Sequence, residues 1–193
     1  MSTVPLSPFH FPENACVSLV ETGGEVALSP DSPALAVTTD LLQTRAAFVP
    51  SWCTLVEVEQ RMIEQRVQML FVVDQMPCVD GIVTLSMLRG ERPLQVAHDK
   101  RLHFDQIAVS DVMATLAQCD VLEFEAVRGA TLRDLVGAFH SCGSTHLLVV
   151  DGAVGVGRIR GVISHARLQR ALGTGLPLLK QAGSFAELAR ALA

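Results

Sequence analysis

The chain contains no tyrosine and one tryptophan, Trp52, and aromatic residues make up only 5 % of its 193 positions. Proteins that grip unpaired bases stack them on aromatic faces, so that class is not expected here. Basic residues are also scarce. Fifteen Lys and Arg stand against 20 Asp and Glu, a formal charge of −5, which argues against a nucleic-acid partner. The apolar runs at 69–73 and 147–150 are short, far below the roughly 18 residues of a membrane span, so no membrane partner is expected. No early Lys or Arg precedes an apolar stretch, and a secretion signal is not expected either. The five cysteines (Cys16, Cys53, Cys78, Cys119, Cys142) are an odd number without Cys-x-x-Cys spacing. That fits reduced thiols and a cytoplasmic location better than a disulfide framework.

What is present is a core-forming composition, 49 % hydrophobic and 18 % charged, long enough for one compact domain or two small ones. It also repeats itself. Thr54-Leu55, an amphipathic stretch, Leu70-Phe71-Val72-Val73-Asp74, a turn and Gly81-Ile82-Val83-Thr84 form a first copy. Thr131-Leu132, a similar stretch, Leu147-Leu148-Val149-Val150-Asp151, a longer turn and Gly161-Val162-Ile163-Ser164 form a second. Thr54 to Thr131 and Asp74 to Asp151 both span 77 positions (131 − 54, 151 − 74), and Gly81 to Gly161 spans 80. Two packed copies of one α/β unit are expected, with a ligand site at their seam.

Residues 1–35, punctuated by Pro5, Pro8, Pro12, Pro30 and Pro33, read as an irregular N-terminal arm with a candidate hairpin of runs 16–20 and 26–28. Residues 36–100 hold the first copy and 105–173 the second. Thr39-Asp40-Leu41-Leu42 opens the first and Ser110-Asp111-Val112-Met113 the second, followed by strands at 46–49 and 121–127. Thr54-x-x-Glu57 and Thr131-x-x-Asp134 are helix-capping patterns. Leu55, Val58, Met62 and Ile63 share a face of the first helix; Leu132, Leu135, Val136 and Phe139 share one of the second. Ser164 caps a last helix that Gly173 stops, whereas Gly90 and Pro93 shorten its counterpart. In the tail, 174–193, Ser184-x-x-Glu187 starts a helix carrying Phe185, Leu188 and Leu192, expected to pack on the module.

This order, β-α-β-β-α twice, with Leu-Leu-Val-Val-Asp, a turn and Gly-Val-Ile-Ser at a helix start, resembles a CBS-domain pair (the cystathionine β-synthase regulatory domain, or Bateman module). Ser110-Asp111-Val112-Met113 resembles the Asp-Val-Met opening of that family. The resemblance covers roughly residues 36–173. It implies an α/β fold of tandem CBS motifs about a pseudo-twofold axis, often paired into a disc-shaped homodimer. It also implies seam clefts for adenosine-containing ligands such as AMP, ADP, ATP or S-adenosylmethionine, with no required cofactor. No enzyme or transporter segment accompanies the pair, so the expectation is a free-standing regulatory module acting on an unidentified partner protein.

In ligand-binding members a Gly-h-h-Ser/Thr-x-x-Asp segment (h is apolar) supplies a capping hydroxyl and a ribose-binding carboxylate. The hydroxyls are Thr84 and Ser164, but Met87 and Arg167 stand at the Asp positions. Neither accepts hydrogen bonds as a carboxylate does. Arg167 instead offers a fork for phosphate; a solvated helix residue is the plain alternative. An N-cap explains Thr84 and Ser164 without ligand. His146 starts the strand before Asp151, where the family places a basic phosphate contact. Thr84, Ser164, Arg167 and His146 are therefore the candidates for the phosphate end, with Ile82 and Val162 flanking the base. Arg158, Arg160, Arg167, Arg170 and His165 form the densest basic segment in an acidic chain, either an anion pocket or a solvated edge.

Other constellations point to plainer roles. Gly152-x-x-Gly155-x-Gly157 lies between strands and reads as a hairpin, not a phosphate loop. His140, Cys142 and His146 share no face and lack a fourth ligand, so no metal site is expected. Cys53 before Thr54 is either an activated thiol or a packed one. No catalytic arrangement stands out, and no enzyme is expected. Two readings compete: a nucleotide-responsive regulator, and a dimeric interaction scaffold that has lost its ligand, which Met87 as a space-filling side chain favours.

Overall fold

The computed structural model describes residues 28–152 and 157–173. The candidate hairpin of the arm, apart from Leu28, and the expected helix at 184–192 lie outside those residues. The chain forms β1 (Thr38–Asp40), β2 (Phe48–Val49), α1 (Leu55–Gln65), β3 (Met69–Val72), β4 (Gly81–Thr84), α2 (Leu85–Arg89) and α3 (Arg92–Lys100). It continues through β5 (Ala114–Thr115), β6 (Val121–Glu123), α4 (Phe124–Gly129), α5 (Leu132–Cys142), β7 (His146–Asp151), β8 (Arg158–Ser164) and α6 (His165–Leu172). Two four-stranded sheets result, β2-β3-β4-β5 and β1-β8-β7-β6. Each has one parallel pair, β2 with β3 or β6 with β7, and two antiparallel ones. This is the mixed α/β architecture of tandem CBS motifs.

The two halves exchange their opening strands. Chain order assigns 38–40 to the first half and 114–115 to the second. Hydrogen bonding does the reverse: Asp40 pairs with Gly161 in the second sheet, and Thr115 pairs with Gly81 in the first. The glycines permit this. A Cβ at Gly81 would sit 2.2 Å from the Ala114 carbonyl oxygen, and one at Gly161 2.9 Å from that of Thr39, so only glycine lets the incoming backbone approach. The segments ahead of the exchanged strands dock on the opposite helix starts. Leu55 N–H donates to the Ile107 carbonyl (3.0 Å) and Leu132 N–H to that of Ser32 (2.9 Å).

Strand alternation divides the apolar residues. Leu70 and Val72 face the first core with Val58 and Met62, and Leu147 and Val149 face the second with Leu135 and Phe139. The opposite faces of both sheets meet at a seam of Met69, Phe71, Ile82 and Leu148, against which Val162 packs. The strand runs are therefore apolar on both faces.

Both capping boxes form, Thr54 with Glu57 and Thr131 with Asp134. Three details differ from the periodicity. Strand β6 ends at Glu123, and Phe124 begins a short helix, so the apparent alternation through 127 belongs to two elements. Ile63 is 62 % exposed and not on the inner face of α1, because Val58 and Met62 already fill the contact with the sheet. After α2 stops at Arg89, a further helix, α3, begins with Pro93 in its first turn, where the missing N–H costs nothing.

Candidate functional site

The strand exchange builds a cleft of about 420 Å³ on the second half. Strand β1 contributes Thr38, Thr39 and Asp40, strand β8 Arg160, helix α4 Phe124 and helix α6 Arg167. Asp40 and Arg160 form a two-point ion pair, Nε to Oδ1 at 3.0 Å and Nη2 to Oδ2 at 3.1 Å. The guanidinium also lies 4.8 Å from the centre of the Phe124 ring, a cation–π placement. Hydrogen bonds from Arg160, and then from the Leu42 N–H, hold the Asp40 carboxyl below its ordinary pKa. Arg167 donates from Nη1 to Thr39 Oγ1 at 3.0 Å. Its own backbone N–H donates to Ser164 Oγ at 3.2 Å, making Ser164 the N-cap of α6.

A smaller hollow of about 260 Å³ lies where the halves meet, lined by Gln68, Leu85, Ser86, Arg89, Thr145 and His146. A hydrogen-bonded chain crosses there: Thr84 Oγ1 to Ser86 Oγ (2.8 Å), Ser86 Oγ to Thr145 Oγ1 (3.3 Å), and Thr145 Oγ1 to His146 Nδ1 (3.0 Å). Burial, and then the neighbouring His165, push the His146 pKa down to about 4. At neutral pH its imidazole is uncharged, a hydrogen-bonding group rather than a cation. Thr84 Oγ1 also accepts from the Met87 N–H at 3.3 Å.

The four residues named for a phosphate end therefore separate. Arg167 lines the larger cleft, with Ser164 capping its helix; His146 lines the smaller hollow, with Thr84 at the end of its hydrogen-bonded chain. Ile82 and Val162 meet in the seam. Cys53 is fully buried, which raises its thiol pKa and fits packing rather than activation. His140 and Cys142 lie on α5 and His146 opens β7; no group of three metal-ligating side chains occurs among the described residues. None of their helices is long and apolar enough to cross a membrane.

Sequence order did not single out Thr39, Asp40 and Phe124 for the cleft. Asp40 is 120 residues from Arg160, and only the exchange of β1 brings them together. The signal that was available is the repeat glycine, which marks where a foreign strand must pass.

No protein-family model matches the sequence, nor does any curated protein. Solved structures do match in shape. An uncharacterised conserved protein from Pyrococcus horikoshii is 18 % identical with a TM-score of 0.54, over 77 % of this chain and 98 % of that one. A CBS-domain-containing protein from Agrobacterium tumefaciens is 18 % identical with a TM-score of 0.51, over 70 % of this chain and 93 % of that one.

Proposed function

On the CBS-pair fold that the chain shares with the second of those structures, we propose a cytoplasmic regulatory module. It binds an adenosine-containing nucleotide in the cleft of its second half and signals to a partner protein. The observation that carries this reading is the convergence of Arg160 and Arg167 in a cleft of about 420 Å³, within the range of small-molecule sites. Phosphate is suited to guanidinium forks, and Phe124 offers the cleft an aromatic surface. Because β1 enters this cleft from ahead of the first half, a ligand that shifts Arg160 acts on the connection between the halves. Val56 and Ile63, on one face of α1, and nearby Trp52 are exposed. Such a patch calls for cover, and a twofold homodimer is the commonest arrangement that gives it.

The test is thermal unfolding of the full chain with AMP, ADP, ATP and S-adenosylmethionine. A ligand at about 100 times its dissociation constant adds roughly 2.7 kcal/mol, a rise of several degrees at this size. We expect that rise with at least one of them and its loss in Arg167→Ala. A folded chain that responds to none fits the scaffold reading, which the half-buried Met87 at the first-half Asp position favours.

A further inference from the structure

Asp40 is the only carboxylate among the residues lining the larger cleft, and its oxygens are already engaged. Oδ1 accepts from the Leu42 N–H (2.8 Å) and Arg160 Nε (3.0 Å); Oδ2 accepts from Arg160 Nη2 (3.1 Å) and Gln43 Nε2 (3.4 Å). A carboxylate has about four acceptor positions, so none remains to bridge the two hydroxyls of a ribose. Donors, by contrast, are in surplus. The guanidinium of Arg167 makes one hydrogen bond, to neutral Thr39, and has no carboxylate partner among the described residues. Arg160 is met by two carboxylates, Asp40 in the lining and Asp151 just outside it (Nη1 to Oδ2, 3.9 Å), so the positive charge left to a ligand is that of Arg167.

Resting on the nucleotide reading above, we infer that this cleft recognises its ligand through phosphate and does not read the ribose diol. Its ligand class is then nucleotides chosen by phosphate, with ribo and deoxy forms bound alike. Arg167 supplies the free fork, with Arg160 beside it, held by Asp40 and Phe124. Neutral nucleosides gain little there, since they bring donors to a site that lacks a free bridging acceptor.

Calorimetric titration of the full chain with AMP, 2′,3′-dideoxy-AMP and adenosine tests this. Dideoxy-AMP binding within about threefold of AMP, with adenosine more than about tenfold weaker, is the expected result for a charge-assisted phosphate contact. Dideoxy-AMP weaker than AMP by more than that threefold margin overturns the inference. So does adenosine within that tenfold margin; either leaves the nucleotide reading standing. Failure of a folded chain to bind AMP, ADP, ATP or S-adenosylmethionine overturns the nucleotide reading and this inference with it. Binding of S-adenosylmethionine alone, which has no phosphate, overturns this inference only. Arg167→Ala should weaken AMP by at least about tenfold, measured on unliganded protein shown to be folded by its own cooperative melting transition. Unaltered AMP affinity in that variant also overturns the proposal.

Discussion

Ahead of the repeat glycine the first half has Asp80 where the second has Arg160, and six residues beyond it Met87 stands where the second has Arg167. Opposite the glycine the pairing partner is Thr115 in the first half and Asp40 in the second. The charged groups that line the second-half cleft thus have no like counterparts in the first. Asp80 Oδ2 accepts from the Asp74 N–H at 2.9 Å and serves the local turn. The scaffold around these positions is nearly the same twice: capping boxes at Thr54 and Thr131, sheets of matching order, exchanged strands passing a glycine. The two halves share the caps, sheet order and strand-passing glycines that packing requires, and differ in the side chains that line the cleft.

The largest difference expected between the halves concerns those glycines. In the first half the added methyl meets a backbone oxygen at 2.2 Å, in the second at 2.9 Å. Neither neighbour is a flexible side-chain tip, so strand β5 or β1 must move. Gly81→Ala should cost about 3 kcal/mol and Gly161→Ala about 1 kcal/mol, the span usual for overpacking. Urea unfolding of the two variants reads the gap. Equal losses would mean that the exchanged strands are held equally loosely and that the closer approach in the first half has no energetic content.

Acid separates the halves next. Met69 and His146 hold equivalent positions at the starts of β3 and β7, each 9 % exposed. A buried imidazole with a pKa near 4 binds a proton less readily than in the unfolded chain, where it titrates near 6.5. Its burial is therefore harmless above about pH 6.5, and stability falls as the pH drops toward about 4, at up to about 1.4 kcal/mol per unit. His165, its pKa also lowered by burial and then by His140, adds to the same trend. Between pH 6.5 and 5 the His146 share is roughly 1.6 kcal/mol. His146→Met, which copies the first half, should flatten the decline in melting temperature over that window. An unchanged slope would assign the acid sensitivity elsewhere.

How much of this was legible follows from which forces act locally. The repeat, both capping boxes and the core faces were readable because caps and periodicity are set by residues three or four apart. Phe124 departs from the pattern it sits in: Leu122, Glu123, Phe124 and Glu125 alternate like a strand, yet β6 needs only three residues to pair with β7, and the chain then turns into α4. Ile63 fits the helical period but overshoots a contact already filled by Val58 and Met62. Arg167 was legible as a departure from a pattern; its partner Thr39 and the Asp40–Arg160 pair were not. Those contacts span 128 and 120 residues and depend on a strand exchange that no local pattern records. His146 was readable as a polar residue opening a strand, but its neutrality comes from burial, which periodicity does not quantify.

The smallest expected difference lies at the ends of the paired helices. Helix α1 ends on Arg66 at φ 54°, and α5 on Gly143 at φ 68°. Both backbones are left-handed there, and the N–H of each bonds back to the helix, that of Arg66 to the Ile63 and Met62 carbonyls and that of Gly143 to Phe139. An L side chain in this region costs roughly 1–2 kcal/mol, which argues for Arg66→Gly. Glycine, however, gives up about 0.5–1 kcal/mol more conformational freedom on folding. Steric relief exceeds that entropy loss by a small margin, so Arg66→Gly should stabilise by about 0.5 kcal/mol, and Gly143→Ala should destabilise by a similar amount. Matched urea midpoints at unchanged slope measure both. A loss of stability in Arg66→Gly would show that the arginine side chain holds something at this corner that offsets its strained backbone, and would make the corner one more place where the halves have diverged.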